Sequence, residues 1–481
     1  MNDVLIKKIS IPYTSSIRRT LVAINNGAIG VALLHDETNS FYGLITDGDI
    51  RRALLNGNGL NTSVDEIYRP KTVTATIHTP SSQLLELITK KIRCIPILDN
   101  DNKVIDLFML DKRSKIPVSA PQIGTKELQY VSECLLTGWV SSSGKFVQQF
   151  EAMFADFCGA KYAVATSNGT TALHLALLSL NICKGDEVIV PSLTFIATAN
   201  AVTYTGAKPV FVDSEPQTWN IDPDVIEKAI TPKTKAIIPV HLYGHPANMD
   251  TIHLIASKYN LAVIEDAAQS HGALYKKQRV GLINQTDVGC FSFFGNKIVT
   301  TGEGGMAITN RKELFEKMRI LRDHGMSEKQ KYLHSVLGYN YRMTNLQAAI
   351  GVAQMEKIKD IIHKKNIISK MYTDCLKDIP GIKLPHSEIW AKRVCWLYSI
   401  LVDENSFGIG RDELMEVLNN NHIENRPLFI PVHKQPIYNN NIVLPVAENL
   451  SSKGLSLPSS INLRQDDIKH VVDVIKNEYR Q

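Results

Sequence analysis

Missing from this chain are the features that would place it in a membrane, on a polyanion or in an oxidising compartment. No uninterrupted apolar segment approaches the roughly 20 residues that a membrane helix needs. The first residues, MNDVLIKK, lack the apolar centre of a signal peptide. There is no basic block and no lysine/arginine stripe. The 53 basic and 48 acidic residues leave a net charge of +5, too diffuse for nucleic acid but favourable to small anions. Seven cysteines lie scattered without CxxC or Cys/His spacing, which argues against a disulfide framework or a zinc site and for reduced thiols. The expectation from these absences is a cytoplasmic protein with no bound metal, no nucleic-acid partner and no membrane partner.

What is present is an ordinary globular composition, 44% hydrophobic and 21% charged over 481 residues, enough for two or three domains. The proline-containing stretch Ser114–Pro121 (SKIPVSAP) separates two textures of sequence. Before it, Val31–His35 and Phe41–Thr46 read as a hairpin followed by the helix start DGDIRRALLNG. A weaker echo follows about sixty residues later: SSQLLELITKK as a helix, CIPILD and VIDLFML as strands. This segment resembles a tandem pair of CBS domains, modules that commonly bind adenine nucleotides. The first copy keeps Gly43-Leu-Ile-Thr46-Asp-Gly-Asp49, where the resemblance implies a phosphate contact for Thr46 and a ribose contact for Asp49. The second copy departs from the pattern, with Lys112 near the expected acidic position. A ligand-free docking or dimerisation module is the alternative.

From about residue 119 the apolar runs 162–165, 187–190, 209–212, 236–239, 262–264 and 288–293 alternate with helical stretches. That rhythm predicts an α/β fold with a mostly parallel sheet, and in such folds ligands bind beyond the carboxyl ends of the strands. Four clusters stand at those ends. Thr166–Ala172 (TSNGTTA) opens a helix with free N–H groups and hydroxyls, suited to a phosphate and equally to an N-cap. Ile264–Gly272 (IEDAAQSHG) ends an apolar strand on a carboxylate pair that needs a cationic or N–H partner. Cys290–Met306 (CFSFFGNKIVTTGEGGM) puts Lys297 at the edge of an apolar run, where burial lowers an amine's pKa and frees it to form a Schiff base. Gly338–Met343 (GYNYRM) precedes a helix expected over 345–359. Each cluster alone has a plain structural explanation. Together they supply a phosphate cradle, an acid for a pyridinium nitrogen and a lysine for an aldehyde, the handles of pyridoxal 5′-phosphate.

With those blocks in one order, alongside GWVSSSGKFVQQFE, PSLTFIATANAV and HLYGHPANMD, residues 116–481 resemble the DegT-type sugar aminotransferases that use pyridoxal 5′-phosphate. The resemblance implies an aspartate aminotransferase-like fold of type I, divided into a large domain at 120–360 and a small one at 361–481, after a CBS pair at 1–112 and a linker at 113–119. It implies Lys297 as the Schiff-base lysine and proton carrier, with Asp266 at the pyridine nitrogen and Gln269 near the ring hydroxyl. Ser167, Asn168, Gly169, Thr170 and Ser292 fall at the phosphate and Phe195 over the ring, with a core phenylalanine as the alternative. Asn340 would reach the phosphate from a neighbouring subunit, making the protein a homodimer or higher oligomer with shared sites. Relatives that dehydrate the sugar carry histidine in place of this lysine, so Lys297 favours amino transfer. The implied donor is glutamate. The implied acceptor is a nucleotide-linked 4-keto-6-deoxy sugar, foremost a GDP-linked mannose derivative used for O-antigen polysaccharide, with a UDP-linked sugar as the alternative. Trp139 with 141–143, His241 to His245, Arg426 and His433 are candidates for the sugar side, each with a structural role as the competing explanation. From another class, a nucleotide-sensing regulatory protein on a retired scaffold would require damaged cofactor handles, and none is visible.

Overall fold

The computed structural model describes residues 2–479 except 28, 69–71, 77, 80–82, 85–86, 88–91, 110–114, 328 and 440. The chain forms two compact units, Met1–Ser114 and Lys115–Gln481. Lys112 and most of the helix expected over 81–91 lie outside the described residues.

The first unit holds two three-stranded sheets of the same design. In one, Ser10–Pro12 pairs parallel with Val31–His35, which pairs antiparallel with Phe41–Thr46. In the other, Ala75–Thr76, Cys94–Leu98 and Val104–Met109 repeat that parallel-then-antiparallel order. The internal echo in the sequence is therefore a repeat of topology. Ile9, Val31, Leu33, Cys94 and Leu107 form a common core between the two sheets.

The second unit is built on a seven-stranded sheet. Its order is Tyr162–Thr166, Gly305–Thr309, Val288–Ser292, Ala262–Asp266, Thr234–Ile237, Glu187–Pro191, Lys208–Val212. Only Gly305–Thr309 runs antiparallel to its neighbours. Side chains alternate across the sheet as strand geometry requires. Val288 and Cys290 enter the core under the helix Gly169–Ser179, whereas Phe291 joins Phe150, Phe154 and Phe293 on the opposite face. With both faces covered, the strands read as continuous apolar runs. A smaller antiparallel sheet (Ile382–Lys383, Tyr398–Val402, Gly454–Leu457, Arg426–Pro427) packs with the helices Ile358–Leu376, Arg411–Asn420 and Gln465–Asn477 around a separate core.

The helix expected over 345–359 ends at Glu356, and a second helix starts at Ile358. Lys357 between them has φ −114° and ψ 11°, outside helical geometry. Its ammonium pairs with buried Glu127 and donates to the Gln122 carbonyl at 2.9 Å, a tertiary anchor that overrides a locally continuous helical pattern.

Candidate active site

The parallel strands 162–166, 262–266 and 288–292 all run the same way, so their carboxyl ends open at one edge of the sheet. Three of the four clusters follow those strand ends directly, and the fourth pairs with the edge at Thr166 and Ser167. After Thr166 the chain turns through Ser167 and Asn168 into the helix Gly169–Ser179. The Asn168 side chain caps that helix by accepting from the Thr171 N–H at 2.9 Å. The N–H groups of Gly169 and Thr170 have no intrahelical acceptor, and the helix end is electropositive. Ser292 closes this turn from the next strand but one. A Cβ on Gly169 would lie 2.7 Å from the Ser292 Cβ, so only glycine lets the two backbones approach this closely. The Ser292 hydroxyl accepts a long contact of 3.4 Å from the Phe294 N–H. The pair makes an anion seat of hydroxyl and amide donors.

Asp266 ends its strand in a buried position. One carboxylate oxygen accepts from the Thr198 hydroxyl at 2.8 Å and the other from the Ala268 N–H at 3.1 Å. Burial still pushes its pKa above the ordinary carboxylate range, against these two donors and the pull of Lys297. Such a carboxylate favours any cationic N–H brought to it. Its neighbour Glu265 serves the framework instead. It accepts from Gly281 N (2.5 Å), Ile283 N (2.6 Å), Thr286 Oγ1 (2.6 Å) and His241 Nε2 (2.8 Å), all in the interior. Gln269 uses its amide oxygen on the Tyr243 N–H (2.8 Å), leaving its NH2 to donate.

Lys297 lies in the twelve-residue connection 293–304 between the adjacent strands Val288–Ser292 and Gly305–Thr309. The Phe293 N–H bonds to the Gly304 carbonyl and the Lys297 N–H to Phe294, which ties the loop down at both ends. The lysine ammonium sits 3.6 Å from the centre of the Trp396 ring. Burial pulls its pKa down to about 7, while Asp266 pulls it upward. A lysine so placed is about half free amine at neutral pH, where an exposed one is nearly all ammonium. Phe195 is 55% exposed, which excludes the core alternative, and its ring faces Phe429 at 5.8 Å. It lies just ahead of the helix Ala197–Tyr204, and its carbonyl accepts from the N–H of Thr198, the residue whose hydroxyl holds Asp266, at 3.3 Å.

The anion seat, the buried acid and the low-pKa lysine fit pyridoxal 5′-phosphate by their donor chemistry, and the glycine-only approach at 169 leaves the seat open for its phosphate. Asn340 is exposed, and the backbone beside it is held by Ser167 N donating to Tyr341 O at 2.8 Å.

The sugar-side candidates fare differently. His241 is buried between Glu265 and the Ala247 N–H. His245 is buried between the Pro246 carbonyl and the Glu388 N–H, and burial lowers its pKa to about 4. His433 is buried between Ser192 and Glu448. All three have both ring nitrogens engaged and are framework residues. Arg426 is exposed beside Glu424. Trp139 and Ser143 line a cleft of about 370 Å³ with Glu133, Lys145 and Asn345, and neither Lys297 nor Asp266 is part of its lining. Sequence reasoning missed Thr198 and Trp396, whose partners lie 68 and about 100 residues away and leave no local trace.

In the first unit Thr46 and Asp49 form a reciprocal cap on the helix Asp47–Leu55. The Thr46 hydroxyl and N–H both reach Asp49, and Arg52 takes its other oxygen. Burial opposes ionisation of Asp49, but the Thr46 and Arg52 hydrogen bonds hold its pKa below the ordinary value.

Comparison with known proteins decides the family. Residues 121–476 match the DegT/DnrJ/EryC1/StrS aminotransferase family, and residues 64–111 match the CBS domain. The chain belongs to the DegT/DnrJ/EryC1/StrS aminotransferase family. It is similar to the GDP-perosamine synthase of Caulobacter vibrioides, 46% identical over 74% of this chain and 96% of that protein. The GDP-perosamine synthase of Escherichia coli O157:H7 is 44% identical over 76% and 98%. Among solved structures, S. venezuelae DesV in complex with a ketimine intermediate gives a TM-score of 0.70 at 36% identity, over 74% of this chain and 94% of its own. A Streptococcus pneumoniae chain in its PLP form gives a TM-score of 0.72 at 27% identity, over 76% and 98%. This family member is a pyridoxal 5′-phosphate-dependent aminotransferase. No helix among the described residues is long and apolar enough to cross a membrane.

Proposed function

We propose that this aminotransferase transfers the amino group of glutamate to GDP-4-keto-6-deoxy-D-mannose and so makes GDP-perosamine. The observation that carries the reading is similarity to three GDP-perosamine synthases at 39–46% identity over 96–99% of their length, with Lys297 in place. When bound, pyridoxal 5′-phosphate supplies the aldehyde that carries the amino group and the ring that spreads the negative charge. The chain's own residues do the rest. Lys297, with its pKa near 7, takes the proton from the donor's α-carbon and later returns one on the sugar side. Asp266, oriented by Thr198, holds the proton at the ring nitrogen. Gln269 donates to the ring hydroxyl, and Phe195 covers the ring. Gly169, Thr170, Ser167 and Ser292 hold the phosphate, with Asn168 setting the helix end on which they sit. Asn340 completes the phosphate site of a second subunit in a homodimer or higher oligomer.

In this reading residues 1–112 are a CBS pair that takes an adenine nucleotide, 113–119 a linker, 120–360 the large aminotransferase domain and 361–481 the small one. The product would feed O-antigen polysaccharide synthesis in the cytoplasm.

The test is a half-reaction. The enzyme is converted to its amine form with excess glutamate, the glutamate is removed, and GDP- and UDP-linked 4-keto-6-deoxy sugars are added separately. Return of the aldehyde-form spectrum with the GDP-linked mannose derivative alone is expected. Return with a UDP-linked sugar alone overturns the substrate.

A further inference from the structure

The segment around Asn340 is held from two sides. His324 N bonds to Tyr339 O (2.9 Å) and Tyr341 N to Arg322 O (3.1 Å), which fastens it to the end of the helix Lys312–Arg322. Ser167 N bonds to Tyr341 O on the other side. The Arg342 side chain then folds back over this strip. Its Nε and Nη2 both donate to the Asn340 amide oxygen, at 3.1 and 3.0 Å. Nη1 donates to Asp323 at 2.7 Å, and Nη2 also faces His324 Nε2 at 3.2 Å.

This arrangement settles which way the amide points. An amide oxygen that meets two cationic N–H groups is fixed, because the flipped rotamer would set NH2 against guanidinium. The acceptor end of Asn340 is used up, and its two amide N–H bonds face away from the fork on an exposed residue. Asn340 is thereby converted from a donor-acceptor into a donor only. That is the chemistry of an anion contact, with Asp323 preventing the guanidinium from swinging out to bind the anion itself.

We propose that Arg342 is a positioning residue for the cofactor phosphate, acting through Asn340 by orienting its amide, with Asp323 holding the fork in place. The proposal rests on the reading that Asn340 binds that phosphate. Lysine cannot replace arginine here, because a single ammonium does not reproduce two parallel donors.

The experiment uses the full-length protein stripped of cofactor, titrated by absorbance with pyridoxal 5′-phosphate and, separately, with pyridoxal, which lacks the phosphate. Wild type, Asn340→Ala, Arg342→Lys and the double variant are compared. Each single variant is expected to weaken binding of the phosphate form by about tenfold or more, the loss typical of one hydrogen bond to a charged group. Pyridoxal binding should stay unchanged, and the double variant should lose no more than either single one. Wild-type binding by Arg342→Lys alongside a weak Asn340→Ala overturns the positioning role. So do equal losses for pyridoxal, which would mark a general structural defect, and losses that multiply in the double variant, which would mark an independent contact. Unchanged binding by Asn340→Ala instead overturns the reading of Asn340 on which the proposal stands.

Discussion

At Lys297 two forces compete, and the sign of the result is testable. Burial favours the neutral amine, and the Asp266 carboxylate favours the ammonium. The balance at about 7 predicts that, in cofactor-stripped protein, amine-selective labelling of Lys297 rises through neutral pH, while exposed lysines follow toward about 10.4. Asp266→Asn removes the opposing charge, so the midpoint must fall further. Peptide mass spectrometry across pH reads both, and a midpoint above 9 in either protein refutes the account. Gly169→Ala would thrust a methyl to 2.7 Å from the Ser292 Cβ and is expected to weaken binding of pyridoxal 5′-phosphate while leaving pyridoxal less affected. Titration with both compounds checks it. Lys297, Asp266 and the Ser167–Thr170 turn were legible because each lies in a contiguous motif at a strand end. The histidines were not. His241, His245 and His433 are sequestered by Glu265, Glu388 and Ser192, partners 24 to 241 residues away, and nothing near them in sequence reports that burial.

The elements that carry the site are unevenly legible in the sequence. Six strands of the large sheet announced themselves as apolar runs. The seventh, Gly305–Thr309, follows the glycine-rich TTGEGG stretch, which hid its start, and it is the strand that reverses direction. The break at Lys357 has no glycine or proline to mark it and depends on a pairing with Glu127 more than 200 residues earlier. Two substitutions probe these supports. Gly351, in the helix Asn345–Glu356, leaves room only for the Phe150 ring, whose atoms would lie 2.8–2.9 Å from an added Cβ. Gly351→Ala is therefore expected to cost about 1–3 kcal/mol by overpacking, measured by urea denaturation. Glu265→Ala strands four buried donors at the end of the Asp266 strand, and a loss of about 3–5 kcal/mol is expected in the same measurement. An unchanged midpoint would show that the network does not hold the strand end.

For the whole molecule, the division into two units carries its own prediction. Among the described residues, the cores of Lys115–Gln481 are built from that unit's own side chains, so a protein lacking residues 1–114 is expected to fold and to keep its kcat/KM for the sugar. Any response of the full-length enzyme to adenine nucleotide should vanish with the deletion; loss of aminotransfer on deletion would contradict the independence of the units. The two-unit plan was visible in the sequence as a change of texture around Ser114–Pro121, and the repeat inside the first unit as an echo of strands. Thr46 and Asp49 were legible as a motif but not as a cap, because a threonine followed three residues later by an acid suits both purposes equally. One feature of the large sheet reaches beyond this protein. Lys297 rides on a short loop whose two ends lie in neighbouring strands, so the loop can accept a different residue at that position without re-threading any crossover. The architecture thereby keeps this side chain on an exchangeable part, and a lineage can replace it by a single codon while inheriting the rest of the scaffold intact.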